Sequence, residues 1–297
     1  MDRNEIAAYF QDLQNRICQA LEEADGPGRF REDRWQRPGG GGGHTRILQG
    51  GRVIEKGGVN FSAVHGQLPE VLREKMQMEG RDFFASGVSI VLHPHNPHVP
   101  IIHMNIRYFE MDAHQHWFGG GIDLTPHYVE PEQARHFHQS LKAVCDRFDP
   151  DYYPAFKKWA DEYFFIRHRH ETRGIGGIFF DRLRPDARHN QAARFSFVQA
   201  VGEAFAPVYT HLMHLNAQKP FSEAEKNWQL LRRGRYVEFN LVYDQGTKFG
   251  LETEGRIESI LMSLPQHASW QYDYQPLPGS REAETQHYLR KGVDWAG

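Results

Sequence analysis

The chain has 297 residues and a formal net charge of -3, with 35 lysines and arginines against 38 aspartates and glutamates, so no basic field directs it to nucleic acid. It is long enough to bury a sizeable core unaided, and its two cysteines, Cys18 and Cys145, cannot build a disulfide framework, which suits a reducing, cytoplasmic location. No apolar run approaches the roughly 18 residues that span a bilayer, and the opening Met-Asp-Arg-Asn-Glu lacks the basic and apolar regions of a secretory leader.

Residues 2–24 predict an amphipathic helix with Ile6, Phe10, Leu13, Ile17 and Leu21 on one stripe. The glycines at 39–43, 50–51 and 57–58 predict a flexible loop or lid, since no Lys-Ser/Thr follows them as a phosphate loop requires. From Ala85 the pattern alternates. Val88, Ile90 and Leu92 mark one strand face; after a turn bearing Pro94, Pro97 and Pro100, a second strand shows Ile102, Met104, Ile106 and Tyr108. Trp117 to Pro126 reads as a bulged strand ending in a turn. Pro131 opens a helix with the stripe Ala134, Phe137, Leu141, Val144 and Phe148. A second helix starts near Pro154 and ends at Arg173-Gly174-Ile175-Gly176-Gly177, and Ile178 to Asp181 is a short buried strand. Residues 190–216 read as helix, and Ser222 with Glu225 forms a capping box for a helix to about Arg233. Alternation of Val237, Phe239, Leu241 and Tyr243 predicts a strand over 236–243, with a turn at Asp244-Gln245-Gly246, a strand over 248–252 and a short helix over 257–262. Strands that adjoin one another predict an α+β fold, a largely antiparallel sheet packed with helices, and no linker divides the single domain 1–297.

Histidine is the compositional excess: 18 in all, nine of them between His93 and His138. If the two alternating strands form a hairpin, Ser89, His93, His103, Asn105 and Arg107 share its polar face. That strand face carries no acidic residue, and a guanidinium is a planar fork suited to a carboxylate, so the missing anion points to a ligand. On the helix from Pro131, His138 lies about 75° from the centre of the apolar stripe and His136 about 125° away, which favours His138 for reaching a site. The same arithmetic favours His170 over His168 on the next helix. Four histidines from two strands and two helices could bind a divalent metal through neutral imidazoles.

Five strings carry a resemblance: residues 55–62 (Glu-Lys-Gly-Gly-Val-Asn-Phe-Ser), His93-Pro94-His95-Asn96-Pro97, Trp117 to Pro126, Arg173 to Phe180, and residues 232–240 (Arg-Arg-Gly-Arg-Tyr-Val-Glu-Phe-Asn). In order and across the whole chain, these resemble the oxygen-dependent coproporphyrinogen III oxidases. The resemblance implies a homodimer whose interface lies around 236–271, with a large antiparallel sheet flanked by helices on both faces. It implies that coproporphyrinogen III is the substrate and O2 the co-substrate, two propionates becoming vinyl groups to give protoporphyrinogen IX in haem biosynthesis. His103 matches the family's proton donor, and Ser89, Asn105, Ile106, Arg107, Glu254, Gly255 and Arg256 match its substrate contacts. Glu254 stands where the bacterial pattern has glycine, which leaves a backbone contact there. His93, His103, His138 and His168 match positions assigned to a divalent metal cation such as manganese. The resemblance thus replaces His170 by His168 and gives His103 two roles that one imidazole nitrogen cannot fill at once.

No flavin or nicotinamide fingerprint is present, and the electron-rich pyrroles can supply the electrons themselves. Arg107 and Arg256 are the candidate propionate clamps. Asp123, in the turn Gly-Ile-Asp-Leu-Thr-Pro, is the candidate partner of the pyrrole N–H groups, with a turn cap near Thr125 as its alternative role. The glycine-rich segment 39–58 would close over the site. A non-haem metal oxygenase and a non-catalytic tetrapyrrole carrier are the competing readings.

Overall fold

The computed structural model describes residues 2–68, 82–111, 115–252 and 255–297. Helix α1 (Arg3–Asp25) begins where Asp2 accepts from the Asn4 backbone and Glu5 returns the bond in a capping box, and it ends at Gly26 in a positive-φ conformation. Its stripe Ile6, Phe10, Leu13, Ile17 and Leu21 is buried as predicted, each side chain contributing about 1.5–3 kcal/mol over exposure.

The sheet follows as β1 (Arg31–Gln36), β2 (Gly41–Gln49), β3 (Ile54–Gln67), β4 (Asp82–Pro94), β5 (Ile101–Met111) and β6 (Gln115–Thr125). After the small ladder β7 (Phe165–Ile166) and β8 (Glu171–Thr172), β9 (Gly176–Leu183) joins beside β6, so seven strands pair antiparallel in the order β1-β2-β3-β4-β5-β6-β9. Val88 faces Ile106, Ile90 faces Met104 and Leu92 faces Ile102 across β4 and β5. These side chains enter the main core with α1, α2 (Pro131–Asp146) and α4 (Gln191–Asn216). The intervening residues form the second face: Ser89 opposite Asn105, Gly87 opposite Arg107, and Val91 opposite His103.

Helix α5 (Glu223–Val242), started by the Ser222–Glu225 capping box, lies on that second face, with Tyr236 packed on Val91 and Ile101. Its fully buried Arg233 bonds Glu55, beside the β3 irregularity, and the Pro94 carbonyl. Helices α6 (Gln245–Glu252) and α7 (Ile257–Leu261) continue the hood: Ser259 reaches Thr45 and Asn60, and Ser263, just past α7, reaches His93. Helix α3 (Tyr152–Tyr163) wraps the β9 edge, setting Phe156 against Phe180 on one face and Tyr163 against Phe179 on the other. The last helix, α8 (Arg281–Tyr288), is tied to residues 128–129 through Glu282 and Thr285. Helices therefore cover both faces, and among the described residues none is long and apolar enough to cross a membrane. Cys18 and Cys145 are buried free thiols, and burial pushes both up to about 12.

Four expectations are overturned, one being the helix from Pro154, which stops at Tyr163 rather than near Arg173 and gives way to the β7–β8 ladder. The segment 39–58 is no lid: it supplies β2 and the start of β3 within the sheet. Its glycines are needed because neighbouring backbone is too close for side chains; a Cβ on Gly42 would lie 2.2 Å from the Trp35 carbonyl oxygen, and one on Gly43 2.3 Å from that of Phe61. Residues 236–242 continue α5 rather than starting a strand. The buried positions Trp228, Arg232, Tyr236 and Phe239 follow helical spacing, and Leu241, which alternation would bury with Phe239, is exposed. Residues 248–252 are helical too, because Asp244 does not form a hairpin turn but accepts from the Thr247 amide and hydroxyl at the start of α6.

One buried carboxylate joins the two layers. Asp25, at the end of α1, accepts from the backbone amides of Gly28, Arg52, Val53 and Ile54 at 2.8–2.9 Å. Burial raises its affinity for a proton, but the four amides outweigh that and hold the carboxyl below its ordinary range. Asp25→Asn should destabilise the fold by about 2–4 kcal/mol. Because the folded carboxyl titrates lower than the unfolded one, its stabilisation is complete above the unfolded carboxyl's range and is lost as pH falls through the folded value. Urea unfolding should therefore show wild type and variant converging as the medium turns strongly acidic; a constant gap would contradict this.

Candidate functional site

The polar face of β5 continues into β6, where His103 lies opposite Asp123, Asn105 opposite Gly121 and Arg107 opposite Gly119. Asp123 is 1% exposed. Its Oδ1 accepts from His103 Nδ1 at 2.7 Å and from Arg173 Nη2 at 2.8 Å, and its Oδ2 accepts from Arg173 Nε at 3.1 Å. Arg173 donates its remaining Nη1 to Asn240 of α5 and is enclosed by the rings of Phe164, Tyr236 and Phe239 at 4.4–4.7 Å. Burial would raise the Asp123 carboxyl, but the Arg173 charge and the His103 hydrogen bond hold it below the carboxylate range. An ionised Asp123 requires His103 to present Nδ1–H, which leaves Nε2 as the reactive nitrogen. Nε2 has no hydrogen-bond partner among the described residues, and the ring, edge-on to Phe164, is partly exposed.

Beside His103 the face is open. Ser89 and Asn105 are half-buried, and Arg107 donates to Asn105 Oδ1 and to Asp181 Oδ1, both at 2.9 Å. The Arg107–Asp181 pair lies on bare backbone: a Cβ on Gly119 would sit 2.5 Å from Asp181 Oδ1 and 2.9 Å from Arg107 Nη2. Phe179, stacked on Tyr163 with ring centres 4.0 Å apart, stands next to this strip on β9. Across the sheet, Arg256 at the start of α7 pairs with Asp33 of β1. The arrangement combines an imidazole whose Nε2 is unpartnered among the described residues with two arginines, both at least partly exposed, on one sheet face.

Several expected site residues occupy other surroundings. Asp123 does not reach the cleft, because His103 and Arg173 use both its oxygens; nor does it cap Thr125, whose buried hydroxyl has no partner among the described residues. Ile106 points into the core and is fully buried, so its side chain is turned away from the strip. Gly255 donates to the Gly250 carbonyl between α6 and α7, and Glu254 lies outside the described residues. The acid expected only from a ligand is present in the protein: it comes from β6 and β9, strands whose alternation places Asp123 and Asp181 on the same face as Arg107.

The four metal-assigned histidines do not converge. His93 is buried, donates Nε2–H to the Ser263 carbonyl and meets Tyr236 edge-on, with its Nδ1 unpartnered; burial and Arg233 push it well below the ordinary histidine value. His138 sits in the layer behind the sheet, between the Ile175 carbonyl and the Tyr153 hydroxyl, and burial lowers it to about 4. Both its nitrogens are engaged. His168 belongs to a 3-10 turn (Arg167–Arg169) and bonds Tyr243 and Glu238. Helix α3 stops at Tyr163, so the helical phase used to choose between His168 and His170 does not apply. Among the described residues no group of three or more His, Cys, Asp or Glu side chains could hold a metal ion. The donor set therefore does not fit a single metal centre.

Sequence reasoning missed Arg173 and Asn240 as supports of the site, and Asp33, Asp181 and Phe179 as neighbours of it. The signal for Arg173 was a lone arginine entering the buried string 174–180, where a charge demands a buried partner. Asp181 was visible as the third member of the 177-179-181 alternation beside Asp123.

A profile of the coproporphyrinogen III oxidase family matches residues 5–295. The chain is 50% identical over 307 residues to a Drosophila melanogaster protein described as an oxygen-dependent coproporphyrinogen-III oxidase, an alignment covering 99% of this chain and 78% of that protein.

The buried ion pair predicts a non-additive stability effect. Arg173→Met leaves the Asp123 carboxylate without its main counter-charge and should cost about 3–5 kcal/mol. Adding Asp123→Asn to that variant should recover part of the loss, since the uncompensated charge is gone. Denaturant unfolding of both single variants and the double variant tests this, and simple additivity would refute it.

Proposed function

The chain belongs to the coproporphyrinogen III oxidase family, and we propose that it converts coproporphyrinogen III to protoporphyrinogen IX with O2 on the open face of β4, β5 and β6. The observation that carries this reading is the His103 Nε2 left without a partner among the described residues, on the same face of β5 as Arg107 and along a strip floored by Gly119 and Gly121. A reduced macrocycle with four propionates needs a broad face, cationic anchors and a group that can take or give a proton next to one propionate.

The chemistry balances as follows. Each propionate, –CH2–CH2–COO⁻, loses CO2, one proton and two electrons to become –CH=CH2. The electron-rich pyrroles mediate loss of the electrons and O2 accepts them, so neither flavin nor nicotinamide is needed. Arg107 and Arg256 bind propionates through charge-assisted hydrogen bonds. His103 Nε2 handles the proton. Asp123 is a positioning residue: it holds Nδ1–H and, with Arg173, fixes the ring orientation, in place of the pyrrole contact expected for it. The family metal finds no single coordination sphere in His93, His103, His138 and His168, so no step is assigned to it.

We further propose a cytoplasmic homodimer. The exposed Leu241, Val242, Leu251 and Ile257 lie within the 236–271 stretch expected at its interface, and burying exposed apolar side chains favours association.

Incubating the purified protein with coproporphyrinogen III in air and under argon tests the reaction. Protoporphyrin formed only in air is the expected result; no product in air would overturn the activity, and unchanged porphyrinogen bound to the protein would instead identify a carrier. Asp123→Asn should lower kcat by about 100-fold or more with a smaller effect on KM, and should shift the pH profile of kcat. An unaltered pH profile with near-normal kcat would defeat the positioning role.

A further inference from the structure

We infer that Asp181 is a displaceable stand-in for a substrate carboxylate, occupying Arg107 when no propionate is bound and competing with the propionate for that guanidinium. The inference rests on the proposed reading of Arg107 as a propionate clamp.

The contrast between two ion pairs on the same sheet face carries it. Asp123 and Arg173 are 1% and 2% exposed at their side chains, whereas Arg107 and Asp181 are 37% and 32% exposed. A pair this open to water is weak and exchanges readily. Arg107 has a second anchor, Asn105, which holds the guanidinium in place whichever anion it meets. Asp181 is bonded to nothing but Arg107 among the described residues, so releasing it breaks a single contact. The bare backbone of Gly119 beneath the pair gives both groups room to lie flat on the floor of the strip. The same design recurs at the second clamp: Arg256 pairs with Asp33, both partly exposed at 31% and 43%, and its buried Nε has no partner among the described residues.

An internal carboxylate on Arg107 has two effects. It keeps the guanidinium neutralised and oriented before substrate arrives, and it subtracts from the affinity of any anion that must displace it. Once the propionate held by Arg107 has become a vinyl group, that anion no longer competes, and Asp181 returns to Arg107. The residue thereby biases the site against retaining a decarboxylated side chain.

The alternative, that Asp181 merely positions Arg107, predicts the opposite sign, which makes one substitution decisive. Asp181→Asn keeps the size and one hydrogen-bond acceptor but removes the competing charge. With thermal unfolding used to confirm an intact fold, KM for coproporphyrinogen III should fall roughly three- to tenfold, without a rise in kcat, and KM should become more sensitive to salt because Arg107 is no longer neutralised. In an Arg107→Ala background the same substitution should leave KM unchanged. An unchanged or increased KM for Asp181→Asn in the wild-type background would overturn the inference. If Arg107→Ala itself leaves KM unaltered, the clamp reading fails instead, and the two failures are thereby told apart.

Discussion

A carboxylate and a guanidinium removed from water are tolerated only where each meets its full set of partners, and Asp123 and Arg173 meet that condition by drawing in four parts of the chain. Asp123 stands on β6, His103 on β5, Arg173 follows the short β7–β8 ladder, and Asn240 comes from α5. Aromatic rings from the α3 end and from α5 close over the guanidinium. The placement of α5 across the sheet and the orientation of the His103 ring are thus two consequences of one desolvated pair. A strand at 236–243 could not have brought Tyr236, Phe239 and Asn240 to the same side: Tyr236 and Asn240 would share one strand face, but Phe239, three positions from Tyr236, would point to the other.

Charge is used differently elsewhere on the same face. Arg107 and Arg256 keep acids beside them but remain in contact with solvent, where ion pairs are weak and salt-sensitive. The protein therefore holds a fixed electrostatic frame under its imidazole and exchangeable contacts where a polyanionic substrate would land. Burial alone separates the two kinds of arginine, since the partner in each case is an aspartate.

The hairpin alternation of β4 and β5 could be read from the chain because each strand buries one face and leaves the other polar, so Ser89, His93, His103, Asn105 and Arg107 fell on one side from pattern alone. Helix α1, the Pro131 helix and the Ser222 cap were equally readable, as caps and apolar stripes are local signals. The glycine-rich β2 and β3 were not, because their glycines answer to backbone packed from neighbouring strands, which composition does not reveal. The 236–252 segment was ambiguous for another reason: Phe239 and Tyr243 satisfy both period two and helical spacing, and the exposure of Leu241 with the burial of Tyr236 and Asn240 separates them. At the site, residue types were legible and partnerships were not. Asp123 was singled out, yet its partner lies 50 positions away at Arg173, and the histidines that sequence matching grouped as ligands are divided between two layers and a surface turn.

The sheet ends differently on its two sides. Helix α3 covers β9, whereas β1 runs as only six residues, four of them Arg31, Glu32, Asp33 and Arg34. Among the described residues its outer backbone groups form an open edge on which a strand from another molecule could dock. Such docking would have to strip water from a row of four charges, one of them already paired with Arg256. The charged edge therefore acts as a stop against runaway β-sheet growth, protecting a seven-stranded sheet from aggregation while pairing one of its acids with Arg256.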